Sequence, residues 1–281
     1  MARDPRRNEY LATIAADNRQ IAKQFVFRPT SATPKYLIIP QSVKFELDEK
    51  SVKIYNLCGI SPSIQPLTSN VILCKGTSDA AIIQYENSAT LNFANGVTPG
   101  GGYIHGAIAQ EEELCRQYPQ LYASLLSISQ NKRLNPYPNL SFEIQSGILY
   151  TPNAYRFRNV DYSLVARPYQ YTSFISAAAP DMSRFPDAII NVQMAEKINE
   201  ILDLIFIIPK QYNIDTLIIG AWGCGAFAPR NTKTTYIKQI AYLICNKIKC
   251  YKKLYQNVVV AIPGGENYNI FENMLHEFAL I

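Results

Sequence analysis

The sequence holds only two histidines, His105 and His276, and a single tryptophan, Trp222. So few imidazoles exclude a histidine-built metal centre. The six cysteines are Cys58, Cys74, Cys115, Cys224, Cys245 and Cys250, with no C-x-x-C pair among them. That spacing excludes a paired-thiolate zinc site and a thioredoxin-type redox centre, and in a chain of this length the cysteines read as reduced thiols. No G-x-x-x-x-G-K-[ST] occurs, which removes the usual NTPase route. No apolar run approaches the roughly 20 residues of a membrane helix, and MARDPRRNEY lacks the apolar centre of a signal peptide. The expectation is a soluble, cytoplasmic chain with no membrane partner. Charge is scarce as well, 17% against 48% hydrophobic residues, a balance that excludes a disordered chain and supports a sizeable core. Internal repeats and low-complexity tracts are absent.

What is present is a mild positive excess, a formal net charge of +5. It suits a polyanionic ligand without specifying nucleic acid. Lys233, Lys238, Lys247, Lys249, Lys252 and Lys253 gather near one late helix and read as its solvated face. With 281 residues the chain is read as a single domain, an N-terminal extension over 1–70 followed by a core over 71–281. Leu11, Ile14, Ala15, Ile21, Ala22 and Phe25 recur at helical spacing and predict an amphipathic helix over about 6–24. Strands are expected at about 36–39, 43–47 and 52–55, and a proline-bearing loop at about 61–68.

From Val71 the pattern becomes an alternation of strand and helix. Strands are expected at about 71–74, 91–94, 148–150, 155–157, 172–177, 216–220 and 258–262. Helices are expected at about 77–86, from Gln110 with a break at Pro119, and at about 187–204, 232–248 and 269–278. The polar, proline-bearing stretch 131–146 reads as a long surface loop. Strands separated by helices predict a three-layer α/β/α fold with a mixed, largely parallel sheet, whose ligand lies at the carboxyl ends of the strands.

Two glycine-rich stretches directly follow predicted strands and so reach that edge. The first, LNFANGVTPGGGYIHGAIAQEEELCRQYPQLY over 91–122, runs from a strand through Asn95 and the triplet Gly100, Gly101 and Gly102 into a helix at Gln110, Glu111 and Glu112. Glycines permit positive φ and close backbone approach, and their N–H groups beside a helix N-terminus suit an anion such as a diphosphate. Adjacent carboxylates supply acid–base groups next to it. The second, LIIGAWGCGAF over 217–227, offers Gly223, Cys224, Gly225, Ala226 and Phe227. Gly223-x-Gly225-x-x-Ala228 also loosely matches a dinucleotide fingerprint, but Pro229 intrudes before the helix. Cys224 and His105 could be imagined as nucleophile and base, yet nothing in the sequence brings them together.

Gly-Gly-Gly, seven residues and Gln-Glu-Glu resemble the signature of the poly(ADP-ribose) glycohydrolases, a family of macrodomain fold. The flanking LNFAN and ELCR, and the second block LIIGAWGCGAF, are similar to its microbial branch, with looser echoes in GILYTPNAYRFR, SFISAAAP and NVVVAIPGGENYNIF. The resemblance implies a macrodomain-like enzyme that releases ADP-ribose by cleaving a ribose O-glycosidic bond. Its partners would be ADP-ribose, poly(ADP-ribose) or ADP-ribosylated macromolecules, with no cofactor, no metal and a monomeric chain. By the same resemblance Glu112 is the general acid and base, Glu111 and Gln110 position ribose hydroxyls, Asn95 contacts a ribose, and Gly223–Phe227 binds the diphosphate with Phe227 against the ribose beside the scissile bond. The family carries an Asn two residues after that Phe where this chain has Pro229. An ADP-ribose-binding module without turnover, and a dinucleotide-dependent oxidoreductase resting on Gly223 to Ala228, are the alternative readings.

One tension is visible in the sequence. A helix N-terminus lowers a carboxyl pKa, whereas a general acid needs it raised, so burial or the neighbouring carboxylate must prevail. The lack of metal-ligating motifs carries a direct expectation: excess EDTA leaves release of ADP-ribose unchanged, and loss on chelation with recovery on adding magnesium contradicts it.

Overall fold

The structure, a computed structural model, describes residues 5–27, 43–46, 69–130, 147–165 and 170–281. The expected strands at 36–39 and 52–55 and the loops at 61–68 and 131–146 lie outside the described residues. Seven strands form one sheet, β1 (Val43–Glu46), β2 (Asn70–Cys74), β3 (Ser88–Phe93), β4 (Gly147–Tyr155), β5 (Tyr171–Ala177), β6 (Thr216–Ile219) and β7 (Asn257–Ala261), in the order β1-β4-β5-β3-β6-β7-β2. β5, β3, β6, β7 and β2 are parallel neighbours, while β4 runs antiparallel to β5 and to β1. The sheet is therefore mixed and largely parallel, as the alternation predicted.

The helices are α1 (Pro5–Phe27), α2 (Ser78–Ile82), α3 (Gln110–Gln117), α4 (Pro119–Gln130), α5 (Val192–Gln211), α6 (Lys233–Tyr251) and α7 (Glu266–Glu277). Strand residues alternate between the two faces. Leu217, Ile219, Val258 and Val260 face a core with Ile201, Ile205, Ile237, Ile244 and Phe271 of α5, α6 and α7. Ile218, Val259, Leu149 and Phe174 face the other way, onto Ala15, Ala81, Leu114, Leu121 and Leu125 of α1 to α4. Burying each of the Val, Leu, Ile and Phe side chains among these contributes about 1.5–3 kcal/mol before entropy is counted. Three layers result. The lysine-rich face of α6 is largely solvated, with Lys233, Lys238 and Lys249 exposed and Lys247 paired to Asp203 at 2.6 Å.

Several boundaries differ from the sequence pattern for identifiable reasons. The expected strands at 148–150 and 155–157 are one strand, β4, whose register against β5 shifts between Thr151 and Ala154. Asn153 sits at φ 49° within that shift, a conformation Asn tolerates better than most residues. The helix expected over 77–86 stops at Ile82, and Asn87 at φ 45° turns the chain into β3. The helix expected to start at Asp187 begins at Val192, because the Asn191 side chain accepts from the Met194 N–H and caps it there. It runs on to Gln211, tolerating Pro209 in its last turn. Pro119 opens α4 as its first residue, where its missing N–H costs nothing.

β3, β6 and β7 end side by side, and both glycine-rich stretches leave from that edge. Gly220, which follows β6, sits where a Cβ would lie 2.7 Å from the Ala261 carbonyl oxygen. The cap on α5 gives a local test of the fold. Asn191→Ala should lower stability by about 1 kcal/mol in a denaturant titration, with m unchanged. No loss would show that the helix start does not depend on this side chain.

Candidate active site

β3 places the first functional group, Asn92. It is fully buried near the end of that strand. Its amide nitrogen donates to Glu111 Oε1 at 3.1 Å and to Ser176 Oγ of β5 at 3.0 Å. Just beyond, the β3 edge facing β6 opens, because that pairing ends at Thr90–Ile218. Gln110 fills the gap. Its Oε1 accepts from the Phe93 N–H at 2.8 Å, and its amide nitrogen donates to the Leu91 carbonyl at 2.8 Å and to Ser78 Oγ at 3.1 Å. The side-chain amide thus substitutes for a neighbouring strand, and both its protons are used within the protein. This differs from the expected contact with a ribose hydroxyl; Gln110 fixes the start of α3 against β3 instead.

Glu111 and Glu112 follow on the first turn of α3, and both are buried. Glu111 Oε2 accepts from the Asn95 N–H at 2.9 Å. Glu112 Oε1 accepts from the Gly102 N–H at 2.9 Å and its Oε2 from the Ala109 N–H at 3.1 Å. The second bond is half of a capping box, since Ala109 has no side-chain oxygen to complete it. Gly101, at φ 56°, lies against both carboxylates: a Cβ there would approach Glu112 Oε1 to 2.6 Å and Glu111 Oε2 to 3.2 Å. At Gly100, φ 69°, a Cβ would meet the Tyr122 ring at 2.7 Å. The triplet is glycine because the backbone wraps closely around two carboxylates.

The same contacts engage the N–H groups that were expected to cradle an anion. The Gly102 N–H goes to Glu112 and the Gly101 N–H to the Thr98 carbonyl. The Gly100 N–H bonds to Glu111. These donors are already spent within the protein, on carboxylates and on one backbone carbonyl. Asn95 is likewise engaged, its Oδ1 accepting from the Val97 and Thr98 N–H groups at 2.9 Å each; its amide nitrogen is the group left to meet a ligand.

Burial dominates the electrostatics of the pair. Desolvation pushes the Glu111 carboxyl up from 4.5 to about 8, opposed by the Asn95, Asn92 and Gly100 hydrogen bonds and reinforced by the charge of Glu112. Burial therefore prevails over the helix terminus at Glu111, the neighbour of the Glu112 to which the acid role was expected to fall.

The second stretch is built differently. The Trp222 N–H bonds to the Gly220 carbonyl and the Cys224 N–H to that of Ala221, so the chain turns at once after β6. Gly223 takes φ 77°, with space for a Cβ denied by Ala179 Cβ at 2.9 Å. Trp222 is buried, and its indole N–H donates to the Ala177 carbonyl at 3.0 Å. Gly225 and Ala226 are exposed, and nothing stands within 4 Å of a Cβ built on Gly225. Their N–H groups have no hydrogen-bond partner among the described residues. An open row of backbone donors is the arrangement that receives an anion. Phe227 is half-buried beside it, its carbonyl fixed by the Met182 N–H at 2.8 Å.

Cys224 contributes backbone only. Its thiol is buried, donates weakly to the Trp222 carbonyl at 3.6 Å, and is pushed far up by desolvation, which removes it as a nucleophile. His105 is exposed on the 3-10 turn Tyr103–His105. The dinucleotide fingerprint also fails on geometry, because α6 opens only at Lys233, well after Ala228. Asn92 was missed from the sequence, although a polar side chain within an otherwise apolar strand was a usable signal.

The two stretches thus give a buried carboxylate pair and an open row of backbone donors on one sheet edge. A family model described as microbial-type PARG, catalytic domain, matches residues 43–159. No curated protein matches the chain. Among solved structures, the poly(ADP-ribose) glycohydrolase of Thermomonospora curvata is 22% identical with TM-score 0.75, covering 95% of this chain and 99% of that one. The same enzyme bound to the inhibitor ADP-HPD is 21% identical with TM-score 0.73, over 94% of this chain and 99% of that one. The Deinococcus radiodurans enzyme in complex with ADP-ribose is 21% identical with TM-score 0.67, over 84% of this chain and 94% of that one. The fold is that of these proteins.

The raised carboxyl has a measurable consequence. A group whose folded pKa exceeds its unfolded value stabilises the fold at low pH, and that stability is lost as pH rises from about 4.5 to about 8. Glu111→Gln cannot ionise, so its melting temperature relative to wild type should climb across this window, whatever the constant offset from altered hydrogen bonds. A difference that stays flat between pH 5 and pH 9 would show that Glu111 is already ionised at pH 5.

Proposed function

We propose that this chain is a poly(ADP-ribose) glycohydrolase, one catalytic unit that releases ADP-ribose by hydrolysing a ribose O-glycosidic bond. The observation that carries the reading is the buried pair Glu111–Glu112, wrapped by the glycine triplet on the same sheet edge as the open loop Gly223–Phe227. ADP-ribose is a diphosphate flanked by two riboses. Its diphosphate fits the free N–H groups of Gly225 and Ala226, and Phe227 packs against the ribose beside the scissile bond. Asn95 Nδ2 supplies a polar contact to a ribose hydroxyl.

At neutral pH burial keeps a proton on Glu111. Glu112 is the less covered of the two, at 7% exposure against 3%, and the missing Cβ of Gly101 leaves its Oε1 open. It is the carboxylate through which the proton reaches the departing ribose oxygen as the C1–O bond breaks. The anomeric carbon gains oxocarbenium character, which the two carboxylates and the ligand's diphosphate stabilise. Water then adds to that carbon, and its proton returns to the pair, restoring the resting state. No step calls for a metal or a cofactor. The protein works as a monomer on polymer or on ADP-ribosylated macromolecules.

Labelled poly(ADP-ribose) and mono-ADP-ribosylated protein, incubated with the protein and followed by product identification, test the reaction. Free ADP-ribose is the expected product, and binding without release would replace the enzyme with a reader. Within the site, Glu112→Gln should lower kcat at least about a hundredfold with calorimetric ADP-ribose affinity kept. Retained turnover would move the proton-delivering role to Glu111. Phe227→Ala should lower kcat by on the order of ten- to a hundredfold while ADP-ribose still binds. A lower melting temperature with normal turnover per folded molecule would make Phe227 a packing residue only.

A further inference from the structure

Glu113, the third member of the acidic run, does not face the carboxylate pair. It accepts from Arg116 Nη1 at 2.9 Å and from the Tyr162 hydroxyl at 2.6 Å. Arg116 is fully buried, on the last turn of α3. Its second terminal nitrogen donates to the Ala107 carbonyl, and the guanidinium lies 5.9 Å from the ring centres of both Tyr103 and Tyr162. Its Nε has no partner among the described residues. An incompletely paired buried cation is a poor source of stability. What it holds is therefore more informative than what it stabilises.

Ala107 is the keystone of the loop that grips Glu112. Its N–H bonds to the Gly102 carbonyl, closing the loop into a ring. The Ala107 methyl fills the space where a Gly102 Cβ would stand, 2.6 Å away. The two N–H donors to Glu112 come from that ring at Gly102 and immediately after it at Ala109. Fixing the Ala107 carbonyl thus fixes both donors.

The far side of the ring is fixed by α1, which lies outside the matched residues 43–159. Asn18 donates to the Tyr103 hydroxyl at 3.0 Å and to the Arg116 carbonyl at 2.9 Å. Arg158 donates from Nε to Asn18 Oδ1 at 2.6 Å, and its terminal nitrogens bond to Asp17 and to the Tyr162 carbonyl. Gly106, at φ 76°, presses so closely on α1 that a Cβ would overlap the Asn8 carbonyl oxygen, at 2.1 Å. The loop cannot shift without disturbing this contact.

We propose that Arg116, anchored through Asn18 of α1, is a positioning residue that sets the loop Gly102–Ala109 and through it the direction of Glu112. It touches no substrate. The inference rests on the glycohydrolase reading for its kinetic arm, and a second arm is independent of that reading. A slack loop admits water to the pair, and solvation returns a buried carboxyl toward its ordinary range. Facing Glu111 are Glu112 on its own helix and the polar donors Asn92, Asn95 and Gly100, so Arg116 acts on the pair through the loop and not through its charge.

The test uses the full chain with Arg116→Lys, which keeps the charge but cannot span Ala107 and Glu113, and with Asn18→Leu, which keeps the branched shape but loses all three side-chain bonds. On labelled poly(ADP-ribose), kcat should fall about tenfold or more in each, with KM near the wild-type value. By carbon-13 NMR of labelled glutamate, the carboxyl that titrates near pH 8 in wild type should titrate at least about one pH unit lower in each folded variant. Folded variants with a lower melting temperature but unchanged kcat and an unmoved titration would reduce Arg116 to a structural role. Should Arg116→Lys not fold, Asn18→Leu decides alone by the same two readouts. If wild type releases no ADP-ribose the function fails, and the titration still decides the positioning role.

Discussion

Backbone N–H groups folded around two adjacent carboxylates are the contact on which the site depends. Glu112 accepts from Gly102 and Ala109, and Glu111 from Asn95 and Gly100. Burying two neighbouring carboxylates is costly unless hydrogen bonds offset it or a proton neutralises one of them. Both occur here. The donors come from a loop that only glycine can build, because a Cβ on Gly100 or Gly101 would strike Tyr122 or the carboxylates themselves. The burial that remains raises Glu111 to about 8, so one constraint yields both the geometry and the protonation state.

The two glycine-rich stretches look alike in sequence and do opposite things. In the first, the N–H groups face inward and are consumed by the protein's own carboxylates and a backbone carbonyl. In the second, Gly225 and Ala226 present theirs to solvent, with Gly223 turning the chain and Trp222 pinning it beneath. The first has its donors taken up inside the protein, and the second leaves two without a partner among the described residues, at the edge of the sheet. The sheet supplies the spacing, since β3 and β6 are hydrogen-bonded neighbours.

How much of this was legible beforehand follows from the range of the interactions. The period of the apolar residues predicted the layers and the strands because burial is local and repetitive. Helix ends set by one side chain escaped it, as with Asn191, whose bond to Met194 moves the start of α5. Gln110 was singled out by the family resemblance, yet its bonds to Leu91 and Phe93 were not legible, since they depend on where β6 stops pairing with β3. The contact of Gly106 with Asn8 joins residues far apart in the chain, and no window of sequence contains it. Burial of Glu111 is of the same kind: three layers have to close before its carboxyl loses water.

The central claim is that one proton, held by a buried pair, serves the cleavage. The pH dependence of kcat/KM for labelled poly(ADP-ribose) tests it most directly, because it reports the essential groups of the free enzyme. The account predicts an alkaline limb with its midpoint near the value of about 8 set by Glu111, above which Glu111 has lost the proton that the cleavage uses. A rate that stays level from pH 6 to pH 10, with the protein still folded, would contradict it.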